Sequence, residues 1–214
     1  VPMKDFFDSD VLETVELGVK SQFLENRLQV NAAVYQNNWD GIPISVQSPT
    51  CLFSTVGNAG EAESIGFEIE TIFNVTEAIQ LIAGISHVDA ELAADAISLG
   101  GVSGDRLPGS PDQTINLGLQ YDFAFQGHES YIRVDYASVS GFYNNLSETG
   151  IEIGDYGKLD FKAGVNLGDF HIELFGNNLT NEDDITWAGS FLAADTRVNR
   201  LRPRTLGFNV GYQF

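Results

Sequence analysis

Leu206-Gly207-Phe208-Asn209-Val210-Gly211-Tyr212-Gln213-Phe214 ends the chain in a strict period of two. Leu206, Phe208, Val210, Tyr212 and Phe214 share one face and small or polar residues the other, the signature of a two-faced β-strand. The pattern returns in Ile115-Leu117-Leu119-Tyr121-Phe123-Phe125 against Asn116, Gly118, Gln120 and Asp122, a strand too long for most soluble sheets. Leu159-Phe161-Ala163-Val165-Leu167 and Ile65-Phe67-Ile69 with Phe73 repeat it again. Less regular segments run from Val15 to Phe23, Leu28 to Tyr35, Ile79 to Val88, Tyr131 to Ser138 and Phe170 to Phe175, which makes roughly nine strands. The Ala-rich piece Val88 to Leu99 is the sole competing helical stripe.

The connections alternate in length. Residues 24–27, 74–77, 126–129 and 168–169 are tight, whereas 41–62, 91–111, 142–157 and 180–203 are long. Short turns at one end and long loops at the other are the rhythm of an outer-membrane β-barrel, with the short turns on the periplasmic side. Phe23, Phe73, Phe125, Phe170 and Phe214 share their strands' apolar parity and lie beside tight turns or the chain end. They are expected to form one periplasmic aromatic girdle. The fold expected is therefore all-β, an antiparallel transmembrane β-barrel. A soluble β-sandwich also alternates, but strand length, loop rhythm and the one-sided aromatic rim favour the barrel.

Composition agrees with this reading. Eleven Lys and Arg against 30 Asp and Glu leave a formal charge of −19, which repels nucleic acid and anionic surfaces. One cysteine, Cys51, cannot close an internal disulfide and reads as an incidental loop residue. No stretch approaches the roughly 20 apolar residues of a membrane-crossing helix, which leaves crossing by strands open. Val1-Pro2-Met3-Lys4 opens no signal peptide, although an exported protein needs one. An odd count of antiparallel strands also leaves an unpaired edge, so the expectation is that residues 1–214 belong to a larger barrel whose first strand is encoded upstream.

Several segments, in order, resemble TonB-dependent receptors of the bacterial outer membrane. They are Glu16-Leu17-Gly18-Val19-Lys20-Ser21, Asn26-Arg27-Leu28 running into Asn31-Ala32-Ala33-Val34-Tyr35 with Trp39-Asp40, and Gly66-Phe67-Glu68-Ile69-Glu70. Arg106-Leu107-Pro108-Gly109-Ser110-Pro111, Asn177-Asn178-Leu179-Thr180-Asn181-Glu182 and Pro203-Arg204-Thr205 follow. The resemblance covers nearly the whole chain and implies the C-terminal part of a barrel of about 22 strands, without the family's plug domain, TonB box and signal peptide. It further implies TonB-energised uptake of a scarce nutrient, foremost a ferric siderophore, with cobalamin, a carbohydrate or a metal chelate as alternatives. Phe208, Val210, Tyr212 and Phe214 match the family's C-terminal signal to the barrel-assembly machinery. The partners implied are outer-membrane lipid, TonB through the upstream region, that machinery and the nutrient. A passive porin-like barrel is the second reading, separated by whether a plug-sized segment precedes the strands; a soluble carbohydrate-binding sandwich is a distant third.

Trp39, Phe142, Tyr143, Trp187 and Phe191 lie at or in the long connections, where rigid rings can grip a ligand. Loop packing or an outer girdle is the commoner role of such rings. Glu182-Asp183-Asp184 and Asp8-Ser9-Asp10 lack Ca²⁺-loop spacing, and His87, His128 and His171 are scattered, so neither a metal nor another cofactor is expected. Glu68, Glu70, Arg133, Asp135, Asp160 and Lys162 sit on the polar parity and read as lumen lining with mutual ion pairs. No nucleophile elbow, phosphate loop or zinc motif occurs, so no enzyme is expected. Asn145-Leu146-Ser147 is a chance glycosylation match.

Overall fold

The computed structural model describes residues 8–47, 54–58, 60–96, 100–146, 148, 150–192 and 195–214. Cys51 and Ser147 lie outside this set. Fifteen strands are present among the described residues: β1 Val11–Phe23, β2 Leu28–Asp40, β3 Pro43–Gln47, β4 Ser54–Asn58, β5 Glu61–Asn74, β6 Ile79–Leu92, β7 Gln113–Phe125, β8 His128–Val139, β9 Phe142–Tyr143, β10 Glu152–Ile153, β11 Tyr156–Leu167, β12 Phe170–Asn177, β13 Ile185–Leu192, β14 Asp195–Arg200 and β15 Thr205–Tyr212.

Nine of them form one antiparallel sheet in the order β1-β2-β5-β6-β7-β8-β11-β12-β15. Each strand pairs with its predecessor in the wall, and among the described residues β1 and β15 each have a single partner, so the sheet does not close. The other six make three small hairpins, β3–β4, β9–β10 and β13–β14, each inside a long connection. The register carries the apolar parity across the wall: Leu17, Val34, Phe67 and His87 lie side by side, as do Phe161, Gly176 and Leu206.

The apolar face meets no second layer. Val15 is 75% exposed, Leu17 76%, Leu206 72% and Phe208 70%, values that a sandwich core would reduce to a few per cent. Buried apolar side chains among the described residues are few, and five of them (Ile42, Ala62, Leu92, Ala96 and Leu146) form one cluster at the long-loop end.

Turn chemistry fixes the opposite end. Leu24, Glu25 and Asn26 all take positive φ (54°, 57° and 66°), and Gln126-Gly127 (51° and 82°) make a primed two-residue hairpin turn whose twist suits antiparallel strands. Three pairings set a glycine directly opposite an aromatic ring on the polar face: Tyr35 with Gly66, Tyr131 with Gly164 and Phe175 with Gly207. A Cβ on Gly66 would stand 2.5 Å from the Tyr35 hydroxyl, and one on Gly207 2.5 Å from the Phe175 ring. The rings therefore lie flat across the neighbouring backbone, and a side chain at either glycine would lift them off.

The wall strands extend further toward the loops than alternation predicts. β1 begins at Val11 rather than Val15, and β2 reaches Asp40 rather than Tyr35. The backbone ladder continues there while the apolar-parity positions become Glu13, Asn38, Glu63 and Asp89, so the pattern that reveals the strand fades before the strand ends. The Ala-rich segment contains no helix among its described residues. Val88–Leu92 continue β6, because Val88 and Ala90 take one face and Asp89 and Glu91 the other, and Ala96 bridges Gly101.

Candidate functional site

Two features can meet a ligand: the polar face of the wall and the layer of long loops above it. On the polar face of β8, β11 and β12, Arg133, Lys158 and Glu173 occur with partners, whereas Lys162 lies opposite Arg133. Arg133 Nη2 is 2.6 Å from Asp135 Oδ1, two residues along the same strand, and its other terminal nitrogen reaches Gln120 Oε1 at 3.5 Å. Lys158 Nζ is 2.8 Å from Asp160 Oδ2. Tyr131 donates its hydroxyl to Glu173 across Gly164, and Asn209 Nδ2 donates to the other oxygen of Glu173 at 2.9 Å. His171 Nδ1 lies 2.8 Å from Asn166 Oδ1, with its ring stacked on Tyr131 at 6.4 Å. The polar face of β1, β2 and β5 differs: Glu16, Glu68, Glu70 and Lys20 line a hollow with Asn31 and Asn37.

The loops are tied to one another. Ile42 from the first long connection, Leu92 and Ala96 around the second and Leu146 from the third share the buried cluster, with Trp39 and Leu107 packed against it. Ala93 N donates to Glu61 O at 2.9 Å, Gly109 N to Tyr143 O at 3.0 Å and Gly154 N to Ile185 O at 2.9 Å. All four long connections therefore join in one layer.

Asn178 anchors the last loop. It is 4% exposed and takes positive φ (52°), a conformation Asn tolerates better than most residues. Its amide donates to the carbonyls of Glu182 (2.8 Å) and Arg202 (2.9 Å), and its oxygen accepts from Glu182 N (3.0 Å) and Thr180 Oγ1 (3.3 Å). Its own backbone N–H donates to Asp160 Oδ1 at 2.7 Å, which binds the loop to the polar face of the wall. Asn178 was visible in the sequence only as a member of the segment Asn177 to Glu182. Ile42 and Leu146 carried no periodic signal, and Leu92 fell in the Ala-rich piece whose pattern pointed to a helix rather than to a buried contact.

The aromatic candidates divide. Trp39 lies on the polar parity of β2, opposite Leu12 and Ala62, and its indole N–H donates to Asp10 Oδ2 at 2.7 Å. Phe142 and Tyr143 form β9 and pair with Ile153 and Glu152, and the Tyr143 carbonyl receives Gly109. Trp187, 51% exposed, is in β13 with its ring close to Gly189. Phe191 belongs to the same strand, with its side chain outside the described residues. The structure thus brings Trp39 and Tyr143 to the same loop, residues 93–112, and sets Trp187 apart on the β13–β14 hairpin.

Phe23, Phe73, Phe125, Phe170 and Phe214 occupy the apolar parity at the tight-turn end, with Phe170 5.0 Å from Tyr212 and Tyr212 5.6 Å from Phe214. Phe208, Val210 and Tyr212 face the same way on β15. Asp183 lies 3.9 Å from Arg200, and both are exposed. Among the described residues no three His, Cys, Asp or Glu side chains converge on a point that could hold a metal.

Residues 8–213 match the family profile described as "TonB dependent receptor-like, beta-barrel". A probable TonB-dependent siderophore receptor, PiuA of Acinetobacter baumannii, is 27% identical over 122 residues, 53% of this chain and 16% of that protein. The metal-pseudopaline receptor CntO of Pseudomonas aeruginosa is 27% identical over 160 residues, 73% of this chain and 22% of its own length. The chain thus spans less than a quarter of these relatives. Among solved structures, the ferric yersiniabactin uptake receptor FyuA of Yersinia pestis superposes with a TM-score of 0.83 at 18% identity, covering 100% of this chain and 32% of that one. The siderophore receptor PiuA superposes at 0.72 with 22% identity, covering 94% and 28%. At these identities the superpositions speak for the fold.

Proposed function

The chain belongs to the TonB-dependent receptor β-barrel family, and from that premise we propose that it forms part of the wall and loop layer of an outer-membrane receptor for TonB-energised uptake of a scarce nutrient, foremost a ferric siderophore. The observation that carries this reading is the uncovered apolar face of a wall whose other face is charged and hydrogen-bonded. From Ile115 to Phe125 the apolar row of β7 covers about 33 Å of strand, or about 25 Å of height at a tilt near 40°, the thickness of an outer-membrane apolar band. Lipid is the solvent such a face requires. Phe23, Phe73, Phe125, Phe170 and Phe214 then mark the periplasmic rim, and the joined loops face outward as one side of a vestibule.

The relatives named above support an iron- or metal-bearing ligand, because their names specify siderophores and metal chelates. TonB, the barrel-assembly machinery and outer-membrane lipid are the partners this role requires. No catalytic chemistry is proposed. The test is uptake by cells deleted for the full-length gene: uptake of one ferric chelate should fall to background and return on complementation. Unaltered uptake of every ferric chelate tried would remove the iron reading.

A further inference from the structure

We propose that the hollow between Trp39 and the bulge Leu107–Pro111 is a ligand subsite for an uncharged, ring-bearing group. It rests on the receptor reading and names the chemistry of one part of the ligand. The hollow measures about 410 Å³ and lies on the polar face at the long-loop end, between Leu12, Trp39, Ala62, Val88 and Ala90 of the wall and the bulge. That volume falls within the range of small-molecule pockets and suits one or two rings.

The bulge is a built feature. Leu107 N donates to Ala90 O at 2.9 Å and Val88 N to Asp112 O at 3.0 Å, so residues 88–90 of β6 are faced by 107–112 and the intervening residues leave the ladder. Arg106 closes its neck, with the guanidinium on the Asp112 carboxylate and 3.5 Å from the Ser110 carbonyl. Pro108 and Pro111 stiffen it, and Gly109 N donates to Tyr143 O, which holds it from the neighbouring loop. The hollow is therefore shaped before anything enters it.

Its chemistry selects against negative charge. Trp39 has its indole N–H on Asp10 and so presents a ring face rather than a donor. Asn37 Nδ2 donates to Ser64 Oγ at 3.0 Å, which leaves the Ser64 hydroxyl proton and a second amide proton of Asn37 for an acceptor on the guest. Among the described residues Glu63 is the sole charged residue along the lining, with its side chain on the opposite parity to Ala62 and Ser64, and the guanidinium of Arg106 at the neck is held by Asp112. An anionic group entering here would lose water without gaining a counter-charge. A neutral ring loses little, and buries against Trp39 and the two prolines.

The experiment uses the purified full-length receptor and an isosteric probe pair, naphthalene-2-carboxamide and naphthalene-2-carboxylate, titrated at neutral pH. The amide should bind at least about tenfold more tightly than the carboxylate, and Trp39→Ala should weaken amide binding by a similar factor. Ser64→Lys, which adds a cation to the hollow, should invert the preference, an outcome a merely structural role for these residues does not produce. Equal binding of the two probes, or an unchanged amide affinity in Trp39→Ala, overturns the proposal. If Trp39→Ala does not fold, Ser64→Lys decides alone, and an unchanged preference overturns the proposal. The iron reading fails separately, through unaltered uptake of every ferric chelate in the deletion strain with probe binding intact.

Discussion

The nine-stranded wall and the loop layer are stabilised by different physics. The wall has a continuous backbone ladder and no side-chain core: Leu117 is 48% exposed, Leu119 46% and Phe125 57%. The loop layer, by contrast, holds Leu92 at 0%, Ile42 at 3% and Leu146 at 6%, an interior of the kind a soluble protein builds. Each half is solvated by what its position offers. On the proposed reading the wall keeps its apolar side chains outside because lipid receives them, whereas loops in water must bury theirs against one another. Stability in this molecule should therefore respond to core deletions at the loops and to polarity changes on the wall.

The largest effect is expected from Leu92→Ala. Its side chain is fully enclosed, and a Cβ on Gly101 would stand 2.6 Å from its Cδ1, so the surroundings are close-packed. Truncation should cost about 4 kcal/mol, drawn from the loop layer alone. Hydrogen exchange on the full-length receptor in lipid vesicles should show faster exchange in residues 93–112 and 140–155 and unchanged protection in β7 and β8. Equal loss of protection in the wall would mean that the two regions share one core.

Leu119→Arg probes the wall from the other side. Leu119 has the apolar parity, beside Leu81 and Val134, and if that face meets lipid as proposed, a cation there should cost about 3 kcal/mol. Asn116→Arg places the same charge on the polar face, where the neighbours Gly84 and Ala137 leave room, and should stay within about 0.5 kcal/mol. Equilibrium unfolding in vesicles separates the pair, and equal costs would contradict the two-sided wall.

That asymmetry between regions also decides what could be read from residues alone. Four of the nine wall strands were legible from strict alternation, as in Ile115 to Phe125, and the other five, less regular, were placed by the rhythm of the connections between them. Their loop-side ends were not, since Glu13, Asn38 and Glu63 occupy the same parity above the apolar band and end the signal before the ladder ends. Phe142-Tyr143 and Glu152-Ile153 are too short to alternate, so β9 and β10 carried no pattern. Ile42, Leu92 and Leu146 come together through contacts distant in sequence, which single-residue spacing does not encode. Arg106 was readable as part of the segment Arg106 to Pro111, but Asp112 was not singled out, and the bulge the two close depends on the register of β6.

Asn178 sits where the two regions meet, and substitutions there can apportion the boundary. Asn178→Ala removes the donors to Glu182 O and Arg202 O and leaves those carbonyls without that partner inside the loop base, at a cost of about 2 kcal/mol. It also places a side chain less tolerant than Asn at φ 52°. Asn178→Gly relieves the second penalty and not the first, so the difference between the two variants measures the backbone contribution, expected to be about 1 kcal/mol. Neither substitution removes the backbone N–H that donates to Asp160. If the seam is held by the Asn178 side chain, residues 179–204 should become protease-sensitive in both variants while β11 and β12 stay protected. If the Asn178 N–H to Asp160 contact holds the seam, both variants should keep the loop protected, and Asp160→Ala, which removes the acceptor, should expose it instead.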